Sequence, residues 1–334
     1  MKSAPAVPVA SSLRARVRAF VCSLVCSLVW ACVTMPALSG CFDLDSFVWN
    51  PDHCSTITKQ LCEDKNLCAA CGEDFDFAKF GIPPEAATRH TITLEDGETN
   101  DSWFFAAQGG GPLSELTIVF SHGNRGGLEH YLNRVALLLL SGANVYGIDY
   151  RGFGQSSTTA EPTEIQFLAD THVTRAGIPA ILASHGVSAT GIVLMAYSAG
   201  ALAGIEMGVS ADSCGLILEA PWPSIDGFSR DGTFIGVPGS FLTTGRWDNL
   251  SKMKSYFHPY LHFHGTVDDT VHIDLGREMF ANSPSSQKVF VAVPGADHGN
   301  FLGKPGDVPD VAETLGPEAY NALVVEFMAG LDCR

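Results

Sequence analysis

The chain has 334 residues, of which 46% are hydrophobic and 17% charged, and its formal charge is −16. This length and composition predict a globular protein with a buried core and exclude a disordered, collagen-like or coiled-coil chain. Acidic residues outnumber basic ones by 36 to 20. Such a surface would repel phosphate backbones, so nucleic acid is not expected as a partner.

The N-terminal segment 1–40 has the pattern of a secretory signal peptide. It contains no acidic residue, and its four basic residues are Lys2, Arg14, Arg16 and Arg18. An uncharged apolar run over 19–33 follows, and Pro36 interrupts the chain shortly after it. Because a basic start, an apolar run and small residues direct export, the sequence predicts a protein that leaves the cytoplasm.

The end of this segment resembles the lipobox of bacterial lipoproteins. It reads Leu38-Ser39-Gly40-Cys41, where a peptidase would cut before Cys41 and the sulfur would carry a diacylglycerol. We therefore expect an extracytoplasmic protein that is anchored to a membrane by its lipid, in the outer membrane if the cell is Gram-negative, because Phe42 rather than Asp follows. Two alternatives stay open: an uncleaved anchor over 19–42, and a soluble secreted protein cut near Ala37.

Export would also change the charge and the cysteine count. Loss of the four basic residues with the signal takes the formal charge from −16 to −20, and three of the ten cysteines leave with it. With Cys41 given to lipid, six candidates for disulfides remain: Cys54, Cys62, Cys68, Cys71, Cys214 and Cys333. An even number in an oxidising compartment predicts three bridges. The first four lie in a segment, 41–85, that we interpret as a cysteine-rich extension, and a zinc knot on Cys68 and Cys71 is the alternative.

Strands and helices are predicted to alternate along a single domain over 86–334. Two short antiparallel strands are expected at 91–94 and 103–107, around the turn at Asp96 and Gly97. Apolar runs then predict strands at 116–121, 144–150, 191–197, 215–220, 260–264 and 288–293. Helical patterns fall at 128–140, 163–184, 199–207, 273–281 and 311–330. This alternation indicates an α/β fold with a doubly wound, mostly parallel sheet.

A serine follows the third strand of the parallel set, at the turn into a helix. The string is Ala196-Tyr197-Ser198-Ala199-Gly200. Small neighbours allow a sharp turn that exposes the serine hydroxyl, as in the G-x-S-x-G nucleophile elbow, although Ala196 replaces the first glycine. On this motif alone, an ordinary helix-capping serine is an equal alternative.

Three further strand ends supply the other groups that nucleophilic catalysis needs. Asp268 follows the strand 260–264, and His298 follows the last strand, so the chain order is Ser, Asp, His. Asp269 and Asp226 are the rivals of Asp268. The tight turn after 116–121 brings the backbone N–H of Asn124 forward, and Ala199 would offer a second N–H to an oxyanion.

Together these segments resemble the α/β-hydrolase superfamily, in the branch of serine esterases, lysophospholipase-like enzymes and serine aminopeptidases. The resemblance covers about 89–331, and the strings that carry it, besides the Ser198 elbow, are Phe120-Ser121-His122-Gly123-Asn124, Asp149-Tyr150-Arg151-Gly152-Phe153-Gly154, Leu218-Glu219-Ala220-Pro221, His264-Gly265-Thr266-Val267-Asp268 and Gly295-Ala296-Asp297-His298-Gly299. It implies an eight-stranded sheet, a short cap over 221–258, and Ser198, His298 and Asp268 as the catalytic triad. In this fold Cys214 and Cys333 would both lie at the bottom of the sheet, which favours a bridge between them.

The expected function is a serine hydrolase that cleaves a small-molecule ester or lipid, with a short or medium acyl chain or a lysophospholipid as substrate. No cofactor and no metal site are predicted. His262 and His264 have the spacing of metal ligands, but on a buried strand they are expected to be core and loop hydrogen-bonding residues. A serine aminopeptidase-like peptidase and a non-catalytic binding lipoprotein are the alternatives, and the oligomeric state is left open.

Overall fold

The computed structural model describes residues 77–124, 126–157, 162–230, 245–298 and 310–333. The predictions for the signal peptide, for lipidation at Cys41 and for bridges or zinc ligation at Cys54, Cys62, Cys68 and Cys71 lie outside these residues.

Eight strands form one sheet in the order β1-β2-β4-β3-β5-β6-β7-β8. The strands are β1 Ala87–Thr93, β2 Thr99–Phe105, β3 Thr117–Ser121, β4 Asn144–Ile148, β5 Ile192–Tyr197, β6 Gly215–Glu219, β7 Tyr260–Gly265 and β8 Lys288–Val293. Strand β2 pairs antiparallel with β1 and β4, and all other pairs are parallel. The five strands from β3 to β7 are buried along their whole length, as expected where helices cover both faces of a sheet. The predicted eight-stranded, mostly parallel α/β fold is confirmed.

Helices cover both faces of the sheet in the described residues. They are α1 Leu132–Leu139, α2 Glu164–Ser184, α3 Ala201–Ser210, α4 Ile225–Arg230, α5 Asn249–Lys252, α6 Ile273–Asn282, α7 Val311–Leu315 and α8 Pro317–Ala329. None of these helices is long and apolar enough to cross a bilayer.

Two of the predicted helices differ in the structure. The helix predicted over 128–140 begins with the 3-10 turn Leu128–Tyr131 and becomes α-helical only at α1. The helix predicted over 311–330 is two helices, α7 and α8. Gly316 separates them with a positive φ of 81°, and Pro317 opens α8, where its missing N–H leaves no helical hydrogen bond unmade.

The core has one apolar layer on each face of the sheet. Alternate residues of β3 divide between the layers, with Val119 in one and Ile118 and Phe120 in the other. The second layer also contains Phe77 and Ile82, which are 6% and 1% exposed. Residues 77–85, assigned to the extension from the sequence, therefore contribute to this core.

A disulfide closes the bottom of the sheet. Cys214, immediately before β6, is bonded to Cys333 after α8, and their Cα atoms are 5.0 Å apart. The structure thus has the pairing that the fold resemblance favoured. It links β6 to the C-terminal helix across 119 positions of sequence, a long loop that the bond constrains in the unfolded chain.

The alanine that replaces the first glycine of the elbow motif is matched by a glycine on the following helix. Ala196 is fully buried on β5, and Gly204 of α3 lies against it. A Cβ atom at position 204 would stand 2.7 Å from the Cβ of Ala196, closer than two methyl groups can approach. The methyl group of Ala196 therefore occupies space that Gly204 leaves free.

This packing predicts the outcome of exchanging the two residues. Gly204→Ala should lower the free energy of unfolding by ~1–3 kcal/mol through overpacking, even though alanine is otherwise the better helix residue by roughly 0.5–1 kcal/mol. The double variant Ala196→Gly/Gly204→Ala should recover most of that loss. Denaturant unfolding of the three proteins measures both effects. A single variant as stable as the wild type, or a double variant without recovery, would contradict this packing.

Candidate active site

Ser198 stands at a sharp turn between β5 and α3. Its backbone has a positive φ of 52°, a strained conformation for a residue with a Cβ atom. Two contacts hold this turn. Trp222 donates its N–H to the Ser198 carbonyl at 2.9 Å, and Gly200 packs against the end of β3. A Cβ atom at Gly200 would overlap the carbonyl oxygens of Ser121 and His122. The elbow thus requires glycine at 200 and packs directly against the end of β3.

Three of the predicted site residues form one hydrogen-bonded chain. The Ser198 Oγ atom lies 2.8 Å from Nε2 of His298, and Nδ1 of His298 lies 2.9 Å from Oδ2 of Asp268. Because a carboxylate only accepts, Nδ1 carries the proton, and Nε2 is left to accept the serine hydroxyl. The three residues follow β5, β8 and β7, whose ends meet at one edge of the sheet.

The two rival acids occupy other positions. Asp269 is exposed, and its backbone N–H donates to Asp297 at 3.1 Å. Asp226 is an exposed residue in the first turn of α4. Of the three candidates, Asp268 is the one that His298 contacts.

The Asp268 carboxylate is fully buried, and both of its oxygens accept hydrogen bonds. Its Oδ1 atom accepts backbone N–H groups from Thr270 at 3.0 Å and Val271 at 2.7 Å, while Oδ2 faces His298. Burial by itself would raise the pKa of this group. The charge of His298 and hydrogen bonds from His264 and His298 outweigh burial and hold the pKa of Asp268 well below its usual value. The residue is therefore an anion, as a partner for an imidazolium must be.

His298 is held through its backbone as well as its ring. Its N–H donates to Oδ1 of Asp297 at 2.8 Å, and its carbonyl accepts the Tyr197 hydroxyl at 2.7 Å. Burial opposes the charged imidazole. The carboxylate of Asp268, followed by those of Asp297 and Glu219, outweighs it and raises the pKa of His298 above 6.5. The ring is thus both oriented and made more basic.

A buried ionic network supports Tyr197, and sequence reasoning missed it. The Arg134 guanidinium lies 4.6 Å from the centre of the Tyr197 ring and donates to Glu219 at 2.6 Å and to Asp310 at 2.6 Å. Glu219 also accepts the Tyr320 hydroxyl at 3.0 Å. A single arginine inside the apolar helix α1 and a glutamate ending the apolar strand β6 were the available signals. Their pairing spans 85 positions, so it could not be read from spacing.

The loop after β3 approaches the same turn. Ser121 pairs in register with Ala196, so Asn124 and Ala199 follow neighbouring parallel strands at one sheet edge. His122, fully buried, places Nε2 3.0 Å from Oδ1 of Asp149 and Nδ1 2.7 Å from the Gly123 carbonyl. His122 therefore braces this loop.

Asp149 and Arg151 also act as loop braces. Asp149 accepts the backbone N–H of Leu128 at 2.6 Å, and Arg151 donates to Asp170 at 2.7 Å and lies 2.8 Å from Asp96. Across the described part of the chain, no three His, Cys, Asp or Glu side chains converge as metal ligands.

Comparison with known proteins places this chain in a family. The sequence profile described as the alpha/beta hydrolase family matches residues 118–326. "Uncharacterized protein YfhR" of Salmonella typhimurium is 27% identical over 233 residues, which cover 66% of this chain and 77% of that protein. Human "Protein ABHD12B" is 30% identical over 249 residues, 64% of each chain.

Solved structures share the fold at lower identity. The esterase Pf2001 of Pyrococcus furiosus has a TM-score of 0.57 at 19% identity, covering 76% of this chain and 93% of its own. The esterase Est2 of Thermogutta terrifontis, solved with butyrate bound, has a TM-score of 0.55 at 19% identity, covering 72% and 94%. The sheet order, the strand-end site and the matched profile lead to one conclusion: the chain belongs to the alpha/beta hydrolase family.

Proposed function

We propose that this protein is a serine hydrolase that cleaves carboxylic esters through a covalent acyl-enzyme. The observation that carries the proposal is the partly buried chain of hydrogen bonds from Ser198 through His298 to Asp268. Each link has a length and direction suited to proton transfer from the serine hydroxyl.

The roles follow from ordinary acyl-transfer chemistry. A serine hydroxyl is a weak nucleophile until a base removes its proton, and His298 is the group within reach. Asp268 holds the imidazole in the tautomer with Nδ1 protonated and stabilises the imidazolium that forms. Ser198 Oγ attacks the ester carbonyl, and His298 then returns the proton to the leaving alcohol. Water, activated by the same base, releases the acid.

The tetrahedral intermediate needs donors for its oxyanion. The backbone N–H groups of Ala199, in the first turn after the nucleophile, and of Asn124, after β3, are the proposed pair. Donors of this kind each contribute about 10²–10³ in rate, because they are already oriented when charge develops. The mechanism uses no cofactor.

Small esters are the substrates that this arrangement favours. The segment between β6 and β7, where a cap would stand, is short. Just after β6, Trp222 donates its N–H to the Ser198 carbonyl, so this segment begins beside the elbow. Two proteins of the same fold were solved with small acids, the esterase Est2 with butyrate and Est1E of Butyrivibrio proteoclasticus with ferulic acid. Short- or medium-chain esters, or a lysophospholipid at the membrane, are the proposed substrate class.

The proposal includes an extracytoplasmic, membrane-anchored location. The basic and apolar segment 1–40 and the lipobox-like string before Cys41 support it. A mature chain of charge −20 would be repelled by anionic lipids, so the diacylglycerol on Cys41 has to supply the attachment.

Covalent labelling tests the nucleophile. A fluorophosphonate probe should label the wild type at one serine, and Ser198→Ala should abolish labelling because the activated hydroxyl is gone. Ser184→Ala, which removes an exposed serine at the end of α2, is the matched control and should label fully. Equal labelling of the Ser198→Ala and wild-type proteins would exclude Ser198, and a wild type that never labels would favour a non-catalytic protein.

A substrate panel tests the reaction class. Esters of graded acyl length and a lysophospholipid should be hydrolysed by the wild type, while aminoacyl amides should be turned over slowly or not at all. Hydrolysis of the amides without hydrolysis of the esters would instead indicate a peptidase.

Activity should depend on pH through His298. A protonated imidazole cannot take the serine proton, so kcat/KM for an ester should fall as pH drops through the pKa of His298. Because the pKa of this group is raised, the midpoint should lie above 6.5. A pH–rate profile measures it, and a midpoint at or below that value would contradict the electrostatic role given to Asp268.

Mass spectrometry tests the anchor. Protein extracted from bacterial membranes should begin at Cys41 and carry the added mass of a diacylglyceryl group. The Cys41→Ala variant should be neither cleaved at this position nor lipidated. An unmodified Cys41 in membrane-extracted protein would refute lipidation.

A further inference from the structure

A line of buried polar side chains runs along β7 toward the acid of the site. Tyr260, His262 and His264 alternate along the strand, share one face, and are each 0% exposed. The Tyr260 hydroxyl contacts Nδ1 of His262, and Nε2 of His262 lies 3.2 Å from Nδ1 of His264. Nε2 of His264 then lies 2.8 Å from the Val271 carbonyl and 3.5 Å from Oδ2 of Asp268.

The acceptor at the end of this line places a proton on His264. A carbonyl oxygen only accepts, so Nε2 of His264 carries a proton and donates it to Val271. His262 contacts His264 through Nε2 and Tyr260 through Nδ1, so both of its ring nitrogens have a partner. Burial, together with the neighbouring His264, lowers the pKa of His262 well below its usual value, in agreement with a neutral ring. The line therefore ends on a donor, Nε2–H of His264, that lies near Asp268.

His264 acts on the acid at two places. Its Nε2–H group lies close to Oδ2, the oxygen that also accepts from His298. It also binds the carbonyl of Val271, whose own N–H donates to Oδ1 of Asp268 at 2.7 Å. The ring thus holds both the carboxylate and the loop that hydrogen-bonds to it.

The surroundings leave room for two imidazoles. Gly276 of α6 packs against them, and a Cβ atom at that position would overlap Nδ1 of His264 and come within 2.9 Å of Nε2 of His262. On the other side, the His262 ring stacks on Phe290 of β8 with centroids 4.6 Å apart.

We propose that His264, oriented by His262 and Tyr260, is a positioning residue that keeps the Asp268 carboxylate in place for His298. The predicted effect of His264 on kcat rests on the ester hydrolysis proposed above. Its predicted effect on the pKa of His298 does not depend on that function. With Nε2–H held between the Val271 carbonyl and Oδ2 of Asp268, the ring stabilises the anion and holds the loop around it.

Substitutions at His262 test this without altering any group that contacts Asp268. His262→Phe keeps a ring but removes the hydrogen bond to His264, so Nδ1 of His264 loses that partner. His262→Gln keeps a donor near the position of Nε2. His90→Phe is the matched control. It breaks a histidine pair far from the site, in which Nε2 of His90 lies 2.8 Å from Nε2 of His185. His90 is on β1, the strand at the opposite edge of the sheet from β8.

Two readouts on the full-length protein separate positioning from mere packing. NMR titration with labelled histidine gives the pKa of His298, and ester kinetics give kcat and KM. His262→Phe should lower the pKa of His298 by about one unit and kcat by about tenfold with little change in KM, because Asp268 supports the imidazolium less well. His262→Gln should stay within about twofold of the wild type, and His90→Phe should change neither quantity. Asp297 and Glu219, the other carboxylates that act on His298, are the same in all variants.

An unchanged or raised pKa of His298 in folded His262→Phe would overturn the proposal, and so would equal losses in the Phe and Gln variants. If His262→Phe does not fold, Tyr260→Phe is the deciding variant. It removes one hydroxyl at the far end of the line and should also lower the pKa of His298, by a smaller amount. An unchanged pKa of His298 in Tyr260→Phe would overturn the proposal. A wild type that hydrolyses no ester would refute the proposed function, while the titration would still test the positioning.

Discussion

The site depends on a carboxylate kept ionised inside the protein. Asp268 has no exposed side-chain surface, so its charge is stable only because hydrogen-bond donors surround it. Two backbone N–H groups, His298 and the nearby His264 supply them, and each comes from a segment at the end of β7 or β8. The sheet thus has to bring these strand ends together before the site can exist. The raised pKa of His298 is the electrostatic consequence.

The serine is held in place in a different way, by close packing around a strained backbone. A left-handed φ at Ser198 costs about 1–3 kcal/mol, and it persists because close packing leaves the turn no alternative. Gly200 lets the elbow touch the end of β3, and Gly204 makes room for Ala196 beneath it. The alanine that departs from the G-x-S-x-G pattern is therefore compensated by Gly204, one helical turn after Gly200, and the nucleophile elbow keeps its shape.

The fold and the meeting of Ser198, His298 and Asp268 could be predicted from sequence, because buried strands read as apolar runs and parallel strands end at a shared edge. The break at Gly316 was missed because the apolar periodicity continues across it. The support of Tyr197 by Arg134 and Glu219 was missed because it joins residues far apart in the chain. For His262 and His264 the residues and their burial were foreseen, but the link from His264 to Asp268 depends on the Val271 carbonyl and its loop, which only the three-dimensional structure locates.

The most direct test of the central claim is to observe the acyl-enzyme itself. An ester with a slowly released acyl group, mixed with the protein and quenched in acid, should add the mass of one acyl group, and peptide mapping should place it on Ser198. An acyl group found on another residue, or ester turnover with no covalent adduct under conditions where deacylation is slow, would contradict the account.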